Sequence, residues 1–315
     1  MSARILDGLS LGRLIQEEIK PEISAFSNQY GRQPCLGIVL VGDDPASEVY
    51  VRNKLKVAAG VGFRADLERL PSSTTLKEVL SVVERLNQSS VHDGILVQSP
   101  LPKAMGPEAA QAVFDKIMPS KDVDGFSPTN VGLLVQKRPS FVACTPAGII
   151  ELLLREEIPI EGQRAVIIGR SDIVGKPMAT LLLHRNATVT VCHSKTVGLS
   201  EVCRQGDILV AAIGRPGFVT TDFIKPGATV IDVGMNRVTD PATAVGLLGE
   251  DHPRLALFRQ KGSVLVGDVH PRVIDIAGAM TPVPGGVGPL TIAMLMRNTL
   301  NAAQMHVSDI TQKII

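Results

Sequence analysis

The chain has 315 residues, 44% of them hydrophobic, with 32 Lys plus Arg against 31 Asp plus Glu for a net charge of +1. That length accommodates two domains of ordinary size, each with its own core. The balanced charge argues against nucleic acid or a membrane surface as a partner. No apolar run reaches membrane-spanning length, and the first residues, Met-Ser-Ala-Arg-Ile-Leu-Asp-Gly, carry no apolar signal segment, so a soluble cytoplasmic protein is expected.

Residues 9–27 have the periodicity of a helix, and Cys35–Val41 reads as a buried strand. A helix over residues 46–59 follows, ended by Gly60 and Gly62, and then a strand over 65–70. Residues 75–87 form a helix with Leu76, Val79, Leu80 and Val83 on one side. A short strand over 94–98 precedes a helix over 107–117, opened by proline at its first turn. This alternation implies a mainly parallel sheet covered on both faces. Thr145 and Pro146 read as N-cap and first residue of a helix that leads into a second domain. There, strands are expected near 164–168, 187–192, 207–213, 229–233 and 263–266. A last helix over 290–304 is expected to return to the first domain, with a loosely ordered tail from His306. The four cysteines, Cys35, Cys144, Cys192 and Cys203, lack metal-type spacing, so buried free thiols and no metal site are expected.

Within the second region, an apolar run over residues 165–168 breaks at Gly169, turns through Arg170 and Ser171, and opens a helix at Gly175 with Met178, Leu181 and Leu182 on its apolar side. This is the strand–turn–helix layout that receives a pyrophosphate on free N–H groups and the helix dipole. The spacing is Gly-x-Ser-x-x-x-Gly rather than Gly-x-Gly-x-x-Gly. An NAD site places a carboxylate at the end of the next strand, to hold the ribose 2′-OH. Here that strand ends in His193-Ser194-Lys195, with Arg170 in the turn. A guanidinium matches a phosphate in charge and geometry, so NADP is the preferred reading over NAD. The bland alternative is an ordinary βα turn with a solvent-facing arginine.

In the first region, Tyr50 and Lys54 lie four apart and share a helix face beside the apolar stripe Val51, Leu55 and Ala58. A lysine at such an edge is placed for a perturbed pKa and proton transfer, whereas Lys56 points elsewhere. Gln98 ends a strand and precedes Ser-Pro-Leu-Pro102, at the carboxyl edge where functional side chains of parallel sheets gather. Asp122-Val-Asp124-Gly125 is a turn with two carboxylates, one of which could accept a paired hydrogen bond from an amino-pyrimidine edge. Taken singly, a solvated helix edge, a polar strand cap and a structural Asp-Gly turn remain open for these three.

Six segments occur in order: Pro45-Ala-Ser-Glu-Val-Tyr50-Val-Arg-Asn-Lys54, Val97-Gln98-Ser-Pro-Leu-Pro102, Lys121-Asp-Val-Asp-Gly-Phe126, Gly169-Arg-Ser-Asp-Ile-Val-Gly-Lys-Pro-Met178, Val230-Ile-Asp-Val-Gly-Met-Asn-Arg237 and Thr281-Pro-Val-Pro-Gly-Gly-Val-Gly-Pro289. Together they resemble the signature blocks of the bifunctional methylenetetrahydrofolate dehydrogenase/methenyltetrahydrofolate cyclohydrolase family, from about residue 6 to residue 300. The resemblance implies a two-domain α/β enzyme with a cleft between the domains. Residues 1–144, joined by the helix over about 288–304, would form the folate-binding catalytic domain, and residues 145–287 a Rossmann-type NADP-binding domain. It also implies a homodimer acting on tetrahydrofolate one-carbon derivatives. Carried onto this chain, Lys54 is the central catalytic group, Gln98 tunes and orients it, Tyr50 stacks on and positions folate, and Asp124 holds the pterin. Cofactor contacts carry over to Gly169, Arg170, Ser171, Ser194 and Met235.

Three positions depart from the family pattern. Ser99 stands where leucine is common, Ser127 where histidine is, and His270 where an acidic residue follows Gly267-Asp268-Val269. Two other readings are an NADP reductase of shikimate-dehydrogenase-like architecture and a non-catalytic folate- or nucleotide-binding protein. The Tyr50/Lys54 spacing and the loop over 282–289 argue against the first, and the intact Lys54, Gln98 and Asp124 against the second.

Overall fold

In the computed structural model, which describes residues 2–138 and 140–314, the chain divides into two units. One comprises Met1–Leu11 and Thr145–Thr291, the other Gly12–Cys144 and Ile292–Ile315. The first residues form β1 (Arg4–Ile5) and open α1 (Gly8–Tyr30), which the unit boundary divides.

The second of these units is built on three parallel strands, β2 (Cys35–Val41), β3 (Arg64–Leu70) and β4 (Gly94–Val97), in the order β3-β2-β4. Between them run α2 (Pro45–Val61) and α3 (Leu76–Gln88). Local chemistry sets their ends: Asp44 accepts the Ser47 N–H ahead of α2, and Thr75 and Glu78 close a capping box on α3. Gly60 lies inside α2, and only Gly62, at φ +93°, ends it, because that left-handed turn favours glycine. The helices α4 (Ala109–Lys116) and α5 (Pro128–Val135) follow, and α6 (Cys144–Arg155), from Thr145 on, belongs to the other unit. All seven residues of β2 are buried, since alternate side chains enter two cores. Leu36, Ile38 and Leu40 pack with Val51, Ala58 and the late residues Leu295, Met296 and Leu300, while Val39 and Val41 pack with Val79, Val83 and Val97. Each such valine, leucine, isoleucine or methionine side chain contributes about 1.5–3 kcal/mol on burial.

The other unit carries a six-stranded parallel sheet. In chain order its elements are β5 (Arg164–Ile168), α7 (Gly175–His184), β6 (Thr188–Cys192), α8 (Leu199–Cys203), β7 (Ile208–Ala211) and β8 (Thr229–Asp232). After β9 (Asn236–Val238), α9 (Pro241–Leu248), α10 (Pro253–Lys261) and β10 (Val264–Val266) come β11 (Ala279–Met280) and α11 (Val287–Ile314), whose residues from Ile292 on belong to the three-stranded unit. The sheet order is β1-β11-β8-β7-β5-β6, and β9 and β10 form a separate antiparallel pair. The chain leaves β5 for β6 on one side and β7 on the other, so the topological switch point lies at the carboxyl ends of β5 and β7.

Several elements differ from the sequence expectations. Thr145 does not cap α6, which begins at Cys144; the Thr145 hydroxyl instead lies 2.8 Å from that of Thr291. Pro107 stands outside α4, ahead of its first residue Ala109. The segment 264–266 pairs with β9 rather than joining the large sheet. α11 continues past His306 to Ile314, and Val307 is buried. Residues 4–5 belong with the six-stranded unit because β1 pairs with β11.

Candidate active site

In the three-stranded unit, α2 sets Tyr50 and Lys54 one turn apart, both half-buried, with Lys56 exposed on another face. Lys54 Nζ donates to Gln98 Oε1 at 3.0 Å. Gln98 is itself pinned: its backbone N–H donates to the Val39 carbonyl at 2.8 Å, and Nε2 donates to the Ser99 carbonyl at 2.6 Å. The acceptor offered to the ammonium is thus a neutral amide oxygen, and Lys54 has no ion pair within 4 Å among the described residues. Burial lowers the Lys54 pKa, while Asp124 and Cys144 pull the other way. Burial alone raises that of the Tyr50 phenol.

The two carboxylates of the 122–124 turn have separate roles. Asp122 is buried and accepts N–H groups from Gly125 (3.1 Å), Phe126 (3.2 Å) and Ser127 (2.7 Å), plus Asn130 Nδ2 (2.9 Å), so it builds the turn. Asp124 has no hydrogen-bond partner among the described residues. Burial pushes its carboxyl up to about 6, with Lys54 pulling down and Asp122 pushing up. Gly125 is required here: at φ +73°, a Cβ would lie 2.6 Å from the Val142 carbonyl carbon.

One residue that the sequence reading missed holds this turn from α11. Asn298, buried, donates to the carbonyls of Val123 at 2.8 Å and Val142 at 3.1 Å, and the Cys144 thiol donates to Val123 O at 3.3 Å. The signal was a polar residue inside the apolar face formed by Leu295, Met296 and Leu300. Of the three departures, Ser127 caps α5 by accepting the Asn130 N–H, and His270 Nδ1 accepts the Arg272 N–H. Ser99 contributes its carbonyl to Gln98.

In the six-stranded unit, Gly169 takes φ +120°, and a Cβ there would stand 2.2 Å from the Ala212 carbonyl oxygen. A Cβ at Gly175 would stand 2.3 Å from Gly169 O, so only glycines allow strand, turn and helix to close this tightly. Ser171 Oγ accepts the N–H groups of Val174 (3.2 Å) and Gly175 (3.3 Å), which fixes the start of α7. The turn lies at the switch point, with Ser194 past β6 and Met235 past β8, and Arg170, Ser194 and Met235 are exposed. Two buried carboxylates, also missed, brace the neighbouring loops. Asp268 accepts the N–H groups of Ile213 (2.7 Å), Gly214 (3.0 Å) and Arg215 (2.8 Å) and Asn236 Nδ2 (2.8 Å). Asp232 accepts those of Gly234, Asp268 and Val269 at 2.9–3.0 Å. Burial, with Asp268 adding, pushes the Asp232 carboxyl up to about 7 against these donors.

A glycine turn on a helix N-terminus at a switch point, with a desolvated lysine in a separate parallel α/β unit, defines a two-unit α/β enzyme with a Rossmann-type dinucleotide fold. Comparison with known proteins narrows the class. Residues 6–124 match the tetrahydrofolate dehydrogenase/cyclohydrolase catalytic domain, and residues 143–307 the NAD(P)-binding domain of the same family. The bifunctional protein FolD of Koribacter versatilis is 52% identical over 306 residues, 97% of this chain and 98% of its own. Among solved structures, the bifunctional FolD dehydrogenase/cyclohydrolase of Campylobacter jejuni is similar with a TM-score of 0.85 at 40% identity, covering 96% of this chain and 99% of its own. That of Trypanosoma brucei, complexed with NADP cofactor and inhibitor, gives a TM-score of 0.86 at 40% identity over 98% of this chain and 99% of its own. The chain belongs to the tetrahydrofolate dehydrogenase/cyclohydrolase family, and it is a methylenetetrahydrofolate dehydrogenase and methenyltetrahydrofolate cyclohydrolase. Neither the shikimate-dehydrogenase-like reading nor the non-catalytic one is favoured. Among the described residues, no helix is long and apolar enough to cross a membrane.

Proposed function

We propose that Lys54 is the proton-transfer group of the cyclohydrolase step, that Gln98 orients it, and that Tyr50 and Asp124 hold the folate. The observation that carries this reading is the Lys54 ammonium, desolvated and hydrogen-bonded to a neutral amide oxygen rather than to a carboxylate. The reaction oxidises 5,10-methylenetetrahydrofolate to 5,10-methenyltetrahydrofolate and hydrolyses that to 10-formyltetrahydrofolate. The methylene carbon joins two nitrogens, so loss of hydride leaves a delocalised cation. A permanently charged lysine would repel that cation. A lysine whose proton is easily lost can take one from the attacking water and return it as the ring opens. Asp124, without a competing donor, is free to accept a paired hydrogen bond from the amino-pyrimidine edge of the pterin.

NADP is the oxidant, and when bound it supplies the hydride acceptor. The close approach of Gly169 and Gly175 and the N-terminus of α7 fit a pyrophosphate. Arg170 and Ser194, exposed beyond the strand ends where no acid is present, fit the 2′-phosphate, and Gly169, Ser171 and Met235 would complete the cofactor contacts. The folate domain is the three-stranded unit and the cofactor domain the six-stranded one, in a cytoplasmic homodimer, as the family resemblance implies. Replacing Lys54 separates the two reactions. Lys54→Met should lower the cyclohydrolase rate by roughly a hundredfold or more, and the dehydrogenase rate by less. The control Lys56→Met should leave both nearly intact. A Lys54→Met enzyme that hydrolyses methenyltetrahydrofolate at the parental rate would remove the lysine from the mechanism.

A further inference from the structure

We propose that Cys35, Asp66 and His92 form a three-ligand site for a divalent ion of the zinc type, at the opposite end of the three-stranded sheet from Gln98. The site is independent of the folate reading. Cys35 opens β2, Asp66 is the third residue of β3, and His92 lies two residues before β4, so the parallel pairing gathers all three at the amino ends of adjacent strands. Their sequence separation explains why cysteine spacing gave no hint of it.

The geometry suits one ion. Cys35 Sγ lies 3.8 Å and His92 Nε2 3.2 Å from Asp66 Oδ2, and the three donor atoms all fall within 4.8 Å of one another. Zinc bonds of about 2.0 Å to nitrogen and oxygen and about 2.3 Å to sulfur set tetrahedral ligand atoms roughly 3.3–3.8 Å apart. Thiolate, imidazole and carboxylate together select zinc or cobalt over magnesium or calcium. The surroundings are shaped for the ring. Gly37, the register partner of Asp66 two residues on from Cys35, leaves the space: a Cβ there would press within 3.2 Å of His92 Cδ2. Ser89 Oγ lies 2.8 Å from His92 Nδ1, the kind of outer partner that fixes a metal-bound imidazole with Nε2 aimed at the ion.

Charge balance holds. The Cys35 thiolate and the Asp66 carboxylate offset a divalent ion with His92 neutral, and binding releases the thiol proton to solvent. Arg64 is the competitor, since it pairs with both Asp66 oxygens at 3.0 and 2.7 Å. Its side chain is 55% exposed and can swing outward. Asp66 and His92 are partly exposed, which gives an ion a path to the buried thiol and leaves water for the fourth position.

Cobalt(II) titration of the metal-free full-length protein tests the site. One equivalent should produce thiolate-to-cobalt charge-transfer absorption and the visible bands of tetrahedral cobalt, both bleached by zinc. Cys35→Ser should abolish the charge-transfer band, with the other three cysteines still in place, and His92→Gln should weaken cobalt binding at least tenfold. Zinc should raise the Tm of the parent but not of His92→Gln. No charge-transfer band at stoichiometric cobalt, or a band that survives in Cys35→Ser or is unaltered in affinity by His92→Gln, would show that the trio is only a hydrogen-bonded cluster around Asp66. If Cys35→Ser fails to fold, Asp66→Asn with His92→Gln carries the test, with folate turnover reporting an intact fold.

Discussion

Asp124 in the three-stranded unit and Asp232 in the six-stranded unit are both pushed upward by burial, to about 6 and about 7. Their surroundings differ. Asp232 accepts three backbone N–H groups, and its neighbour Asp268 accepts three more and an amide. Among the described residues Asp124 accepts none, and the nearby Lys54 hydrogen-bonds a neutral amide. Burying a charge is costly unless its hydrogen-bonding capacity is filled. Where that capacity is filled, the carboxylate fixes loops; where it is left open, the group stays available to a ligand or a proton. A raised pKa therefore does not by itself distinguish scaffold from chemistry, whereas a count of donors does.

The sharpest way to break this comparison is to remove one carboxylate from each region. Asp124→Ala should keep its fold and lose roughly ten- to a hundredfold in folate affinity, lowering both activities together. Asp268→Ala strands four donors at about 1–3 kcal/mol each and should fail in thermal unfolding before it fails in chemistry. Unchanged folate affinity in Asp124→Ala would return that residue to a structural turn.

Arg170→Ala sharpens the reading of the exposed cofactor turn. The Michaelis constant for NADP should rise about tenfold, near 1.4 kcal/mol, with that for NAD almost unchanged. Equal losses with both cofactors would mean that the arginine does not read the 2′-phosphate. A smaller effect is expected from Asn298→Leu, which removes the donors to Val123 and Val142 without touching the Lys54–Gln98 pair. The folate Michaelis constant should rise about fivefold, on the order of 1 kcal/mol, while that for NADP stays put. Parallel changes in both constants would indicate general loosening instead.

The smallest expected effect is on stability. The Lys54 pKa is lower in the folded chain than its ordinary lysine value. Between those two values the unfolded chain holds a proton that the folded chain has released. The contribution of Lys54 therefore makes stability rise with pH across that window, and at lower pH the buried charge is a net cost. Lys54→Met removes the cost, so Tm at neutral pH should rise by a few degrees even as cyclohydrolase activity disappears. A fall in Tm would show that Gln98 and Asp124 more than offset the burial.

Local pattern alone determined a good deal. The apolar run at Cys35–Val41, the glycines at 169 and 175, and the four-residue spacing of Tyr50 and Lys54 each act within a turn or two of chain, where periodicity and backbone sterics decide the outcome. The short strands β1, β9 and β11 were not legible, since two or three residues carry no period and exist only because a partner strand is present. Nor did local spacing separate Asp122 from Asp124, which the family resemblance alone told apart: both sit in one Asp-x-Asp-Gly turn, and only folding decides which receives the donors. The same holds for Asn298, which meets Val123 across 175 residues, and for Asp268, which meets Ile213 across 55. Hydrogen bonds of that span leave no spacing in the sequence, because the distance that matters is set by packing of the sheets and helices and not by the chain between.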